Sequence, residues 1–158
     1  MQFYSIKSRQ HLPIPLEEAW AFFSSPNNLQ AITPPNMNFV ITSDKKDGEA
    51  MYPGQIITYT LTPVFGVKVK WMTEITHVKD GHYFIDEQRF GPYKLWHHKH
   101  TFVSTPNGVD MFDEVNYVLP FGFLGAIAHK LFIRKRIQEI FTYRTKVVEE
   151  LFRNKSSI

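Results

Sequence analysis

Two histidines, His98 and His100, and two aspartates, Asp86 and Asp113, are the residues of this chain best suited to chemistry. Side chains two apart on a β-strand share a face, so the histidines act together if their segment is extended. The stretch 84–102 reads as two strands joined at Gly91-Pro92. One face of the first carries Phe84, Asp86, Gln88 and Phe90, and the matching face of the second carries Trp96, His98, His100 and Phe102. Both rows run aromatic, polar, polar, aromatic. Titratable groups between large apolar walls are the usual lining of a small-molecule pocket.

An imidazole beside a carboxylate suits several tasks. It can hydrogen-bond a carbonyl or hydroxyl of a ligand. It can move a proton as a general acid or base. As a His-x-His pair it can bind a metal ion, but only Asp86 or Asp113 could serve as third ligand, so neither a metal nor another cofactor is expected. The plainer use is a polar belt that holds water and fixes strand register, since a buried polar orphan costs about 1–3 kcal/mol.

Turn positions predict the register. A hairpin centred near residues 91–93 sets Phe90 opposite Trp96, Gln88 opposite His98, Asp86 opposite His100 and Phe84 opposite Phe102. One centred on Pro106-Asn107 sets Phe102 opposite Met111, His100 opposite Asp113 and His98 opposite Val115. His100 then lies between Asp86 and Asp113, and two nearby carboxylates raise an imidazole pKa.

The positioning elements follow from periodicity. Residues 2–12 read as a strand, 16–23 and a stretch from 26 as short helices with Pro15 and Pro26 at their starts, and 38–43 as a short strand. A polar loop is expected over 44–54. Strands are expected over 55–62, 67–78, 82–90, 95–104 and 109–119, with links too short for anything but an antiparallel meander. Residues 122–153 contain no proline and have helical periodicity, which predicts a helix of about 45 Å. Its inward stripe reads Ala126, Lys130, Ile133, Ile137, Ile140, Phe141, Arg144, Val148 and Leu151. Arg144 near the centre of that stripe needs acceptors, either a structural ion pair or the charge of an acidic ligand. Lys130, nearer the helix start, is placed to snorkel outward.

Ile57, Tyr59 and Leu61 form one wall row, and Val67, Val69, Trp71, Thr73 and Ile75 another. The apolar face of the last strand carries Val109, Met111, Asp113, Val115, Tyr117 and Leu119. The expected ligand wall is Tyr59, Trp71, Phe84, Asp86, Gln88, Trp96, His98, His100, Phe102, Met111, Asp113 and Tyr117 from the strands, with Ile137, Phe141 and Arg144 from the helix. If a reaction is catalysed, His98, His100, Asp113 and Tyr117 are the proton-moving candidates.

Bulk composition narrows the classes. With 158 residues one domain over 1–158 is expected. The absence of cysteine excludes disulfides, thiolate metal sites and cysteine nucleophiles. The N-terminus alternates and carries charge where a secretory signal would be apolar, so a cytoplasmic protein is expected. Net charge is only +3, and the basic residues gather late, from Lys130 through Lys155, where they complement a helix C-terminus. No nucleic-acid partner is expected. No Gly-x-Gly-x-x-Gly, phosphate loop or Gly-x-Ser-x-Gly elbow appears.

Three strings carry a family resemblance: Glu17-Glu18-Ala-Trp20-Ala-Phe22-Phe23 with Pro26-Asn27-Asn28-Leu29; residues 90–102, with Trp96, His98 and His100; and Asp113-Glu-Val-Asn-Tyr117-Val-Leu-Pro120-Phe-Gly122. With this order of elements the chain resembles, over nearly its whole length, the SRPBCC superfamily. That superfamily includes START domains, birch-pollen-type allergens and polyketide cyclases. The strings look like a bacterial cyclase/dehydrase-like branch of poorly defined function. The resemblance implies an α+β helix-grip fold: a curved seven-stranded antiparallel sheet around a long C-terminal helix, two short helices after the first strand, and an internal cavity. It implies binding of a small hydrophobic molecule (a lipid, quinone or polyketide) by a carrier, sensor or chaperone. The alternative is a cyclase- or dehydratase-like enzyme with cavity His and Asp as acid–base groups.

Phe121, Phe123 and Leu124 sit in a Gly/Pro-containing turn where not all can be core, and Leu131 and Phe132 fall off the inward stripe. Packing on the short helices, a membrane-touching tip or portal, and a dimer patch are the three uses open to them. Any partner enzyme stays unspecified.

Overall fold

The computed structural model describes residues 2–43, 50–63 and 65–153. Most of the expected polar loop over 44–54, the residue Val64 and the basic residue Lys155 therefore lie outside the described residues. The chain begins with β1 (Phe3–Leu12), followed by α1 (Leu16–Phe23), α2 (Pro26–Ala31) and a 3-10 turn at Pro35–Met37. Then come β2 (Val40–Ile41), β3 (Ile56–Leu61), β4 (Val69–Lys79), β5 (Tyr83–Phe90), β6 (Leu95–Thr105) and β7 (Gly108–Val118). It closes with α3 (Gly122–Ala128), a π turn at His129–Ile133 and α4 (Arg134–Arg153). The strands form one seven-stranded antiparallel sheet in the order β1-β7-β6-β5-β4-β3-β2. The meander follows from its short turns, and β1 closes on β7.

One sheet face is apolar and the helices cover it. At one end Phe23 of α1 and Val148 and Phe152 of α4 pack on Phe84, Phe102, Val109 and Met111. Elsewhere on this face Met37, Phe39, Leu61 and Trp71 form a second cluster, and Val115, Tyr117 and Ile137 a third. The side chain of Gln10 ties β1 to α4 by donating to the Thr145 carbonyl at 2.8 Å.

The β6–β7 register is as the turn implies: Phe102 pairs with Met111, His100 with Asp113 and His98 with Val115. Gly108 fixes that turn. Its φ is +141°, and a Cβ there would collide with the Leu12 carbonyl oxygen.

The β5–β6 register differs from expectation by two residues. Phe84 faces His100 and Asp86 faces His98, and the ladder ends at Glu87 and His97. Gln88 causes this. Its amide donates to the Tyr93 carbonyl at 2.6 Å and accepts from the Tyr93 N–H at 3.1 Å, so a side chain takes the place of strand pairing. Because the side-chain period is two, a two-residue shift leaves every residue on its face. The inward row therefore survives, except at Phe90. Irregularities between Met72 and Thr73 and between Ile75 and His77 interrupt β4 against β5. Phe90 pairs with Met72 beyond the first and is 63% exposed, not inward. Val67 also fails as wall, because it precedes β4 and is exposed.

The last third is not one uniform helix. A π turn adds a residue to its turn and rotates everything N-terminal to it. Gly125 and His129 are buried in place of Ala126 and Lys130, and Lys130 is exposed. At the far end Phe152 is buried and Leu151 exposed, because 3.6 residues beyond Val148 falls nearer 152.

Candidate functional site

Strands β5, β6 and β7 bring Asp86, His98, His100 and Asp113 side by side, and α4 lays Arg144 over them. His100 Nε2–H donates to Asp86 Oδ2 at 2.9 Å, a diagonal contact, because the residue facing Asp86 is His98. His98 Nε2–H donates to Asp113 Oδ1 at 2.9 Å. An ionised carboxylate can only accept, so both ring nitrogens must be the donors. His100 Nδ1 lies 2.9 Å from the same Asp113 oxygen, yet without hydrogen-bond geometry, so that contact is electrostatic. His98 Nδ1 is 3.6 Å from Asp86 Oδ2 and Arg144 Nη1 is 3.8 Å from Asp113 Oδ1. The Arg144 guanidinium also lies 5.4 Å from the centre of the Phe23 ring.

The electrostatics separate the two imidazoles. Burial pulls the His100 pKa down, but contacts with Asp113 and Asp86 outweigh it and hold the pKa above 6.5. Burial lowers that of His98, and the neighbouring His100 charge lowers it further. Burial pushes Asp113 up, but Arg144 and the imidazoles more than reverse it, and its pKa lies well below the ordinary value. Burial likewise raises Asp86, and the His100 hydrogen bond together with the charges of the two imidazoles and Arg144 outweighs it, so its pKa lies below the ordinary value. With His100 and Arg144 charged and His98 neutral, two cations meet two carboxylates. A buried cluster with balanced charge avoids an unpaired ion.

This cluster opens into a cavity of about 200 Å³ between the sheet, both short helices and α4. Tyr59, Trp71, Phe84, Asp86, Trp96, His98, His100, Ile137, Phe141 and Arg144 line it, as placed from sequence. The other expected wall residues do not. Phe102 and Met111 are spent in the core cluster under α1. Gln88 is tied to Tyr93. Asp113 sits behind the imidazoles as their support. Tyr117 turns toward the π turn, where its hydroxyl and His129 Nε2 are 2.7 Å apart, and burial pushes its pKa up to about 12.

Three contributors were not singled out. Tyr93 lines the cavity, and burial pushes its hydroxyl pKa up. Thr73, read only as wall, is a buried hydroxyl joined to Trp71 Nε1 at 3.0 Å and Tyr59 Oη at 3.2 Å. A threonine among apolar inward residues was the available signal. His129 stacks on Tyr4 with ring centres 3.5 Å apart, and no local pattern marked it, because a regular helix turns it off the inward stripe.

Asp86, His98 and His100 can each offer one ligand atom within 4.8 Å of the others, the spread of a small metal site. An ion there would have to displace the His100 proton and add charge to a balanced cluster.

The chain has the helix-grip fold. Three solved structures share it. TTHA0849 from Thermus thermophilus superposes with a TM-score of 0.71 at 17% identity, over 98% of this chain and all of that one. Major latex-like protein 151 from Panax ginseng gives 0.68 at 11% identity, over 95% and 97% of the two chains. The di-domain ARO/CYC StfQ from the steffimycin biosynthetic pathway gives 0.72 at 9% identity, over 99% of this chain and 53% of its own. These are of the SRPBCC/Bet v1-like type, and at such identities the likeness is one of fold. No protein-family model and no curated protein matches the chain.

Proposed function

We propose that this chain binds a small, largely apolar molecule with one polar group, seating the apolar part among Trp71, Tyr59, Trp96 and Phe141 and the polar group against His98 and His100. The observation that carries this is the setting of a charge-balanced His/Asp cluster in one wall of an otherwise aromatic cavity. The volume supports a compact ligand. An engineered cavity of about 150 Å³ admits benzene, so about 200 Å³ suits one or two rings. His98, whose Nε2–H is taken by Asp113, offers Nδ1 as acceptor to a ligand hydroxyl, and the positive charge of Arg144 and of protonated His100 in the same wall favours a carbonyl or carboxylate nearby. A carrier or sensor needs nothing more. Native mass spectrometry of the purified protein tests this, with a retained organic molecule as the expected result. An empty protein that shows no thermal shift across aromatic acids, phenols and quinones contradicts it.

A cyclase-like enzyme is the second reading. The observation favouring it is the charged and neutral imidazole pair, ring centres 3.7 Å apart, at the cavity wall. An acid and a base with pKa values pushed apart are what proton shuttling needs. The similar fold of the ARO/CYC StfQ adds to that reading. Retained binding with lost turnover in His98→Gln would separate the enzyme from the carrier.

A further inference from the structure

We propose that the end of the molecule formed by the β3–β4 loop, α3 and the π turn docks on an anionic lipid surface. Four large apolar side chains protrude there: Phe121 is 81% exposed, Phe65 77%, Phe123 75% and Leu131 71%. Side chains this open present most of their surface to solvent. Phe123, Ile127 and Leu131 follow one another at four-residue steps and form a single outward stripe. Packing on the short helices, one of the three uses open to Phe121, Phe123, Leu124 and Leu131, does not occur, since all four are exposed.

Two of the rings are held out by unfavourable backbone. Phe121 has φ +64° and Phe65 φ +53°. A bulky residue in the left-handed region is an outlier that marks function more often than chance. The two loops meet at this end, where the Phe65 ring packs edge-on against Phe132 of the π turn, centres 4.9 Å apart.

Charge selects the occupant. Residues 115–138 contain Lys130, Arg134, Lys135 and Arg136 and no Asp or Glu, and residues 55–73 contain Lys68 and Lys70 and none. Lys68, Lys130, Arg134 and Lys135 are exposed; Glu139, which borders the same pocket as Phe65 and Leu131, pairs with Lys135 at 4.0 Å and Arg136 at 3.5 Å and offsets part of that charge. A second copy would bring these cations against themselves across a two-fold axis, whereas anionic headgroups pair with them while the rings enter the acyl boundary. No described helix is long and apolar enough to cross a membrane, so the contact is peripheral. A second cavity of about 320 Å³ opens behind Phe121 and Leu124 and shares Tyr93, Ile137 and Ile140 with the inner cavity. A docked tip therefore faces the wall through which a lipid-borne ligand could pass. The docking itself does not depend on the ligand.

Co-sedimentation of the full chain with vesicles of phosphatidylcholine, with and without phosphatidylglycerol, tests this. Binding to the anionic vesicles, weakened by salt, is expected. The double variant Phe121→Asn, Phe123→Ser should bind about tenfold or more weakly. Asn tolerates the left-handed backbone, so the variant should fold, and far-UV circular dichroism checks that. Lys130→Gln and Lys135→Gln should each cost about fivefold. Failure to bind anionic vesicles overturns the proposal. So does unchanged binding by the folded Phe121/Phe123 variant, and so does a dimer in sedimentation velocity that this variant dissolves, since that assigns the tip to a second copy.

Discussion

The opposed pKa shifts of His98 and His100 predict a stability optimum near pH 6.5, and replacing His100 by Asn should remove its alkaline side. The folded pair holds one proton between its two displaced pKa values, because His100 is raised above 6.5 and His98 lowered below it. Unfolded, both titrate near 6.5. Above that pH the unfolded chain holds fewer protons than the folded one, so stability falls as pH rises through the folded His100 pKa. Below it the unfolded chain holds more, so stability falls as pH drops through the folded His98 pKa. His129, also lowered, adds to the acid side only. One proton corresponds to at most about 1.4 kcal/mol per pH unit. From pH 6.5 to about 8.5 the His100 contribution therefore falls by at most about 2.7 kcal/mol. For a domain of this size that is about 5–10 °C in Tm. Urea unfolding of wild type and His100→Asn over this range is the assay. The wild type should lose stability with rising pH, and the variant should lose much less. Equal slopes would show that His100 holds no extra proton in the folded state, and the charge-balanced cluster would be wrong.

Other consequences are separate. Asp113→Asn leaves Arg144 and His100 facing a single carboxylate and should cost about 3–5 kcal/mol, read as a lowered urea midpoint with an unchanged slope. Tyr117→Phe strands His129 without its 2.7 Å partner and should cost about 1–3 kcal/mol, read by the same unfolding experiment. Gly125→Ala drives a Cβ into the Pro120 carbonyl oxygen and should cost more than Gly122→Ala, where φ is +53° but the space is open; thermal melts rank the two. Zinc added at neutral pH should bind weakly, since it must displace the His100 proton, and tight binding by calorimetry would instead make Asp86, His98 and His100 a metal centre.

Much of the fold was legible because alternation and turns are local. The inward faces of β3, β6 and β7 follow from period-two patterning, and the Pro106-Asn107 turn fixes the β6–β7 register. The β5–β6 register was not legible, since it depends on the Gln88 amide folding back on Tyr93, which no spacing reveals. The polar cluster is legible all the same, because the two-residue slip moves Asp86 from opposite His100 to opposite His98, leaves Asp113 opposite His100 and keeps all four groups on one face. The π turn was invisible for a different reason. A helical stripe reads alike with or without one extra residue until His129 is seen buried and Lys130 exposed. Tyr117 was misread as cavity wall on that account, since its partner lies in the π turn.

The proposed function stands or falls on whether the cavity seats a ligand whose polar group meets the His98/His100 pair. The most direct measurement is native mass spectrometry of wild type and His100→Ala purified side by side. One discrete organic adduct is expected on the wild type, depleted on a folded variant. An adduct retained equally by both would place the ligand away from the pair. No adduct on either, under conditions that preserve the fold and with no ligand found by thermal shift, would contradict ligand binding itself.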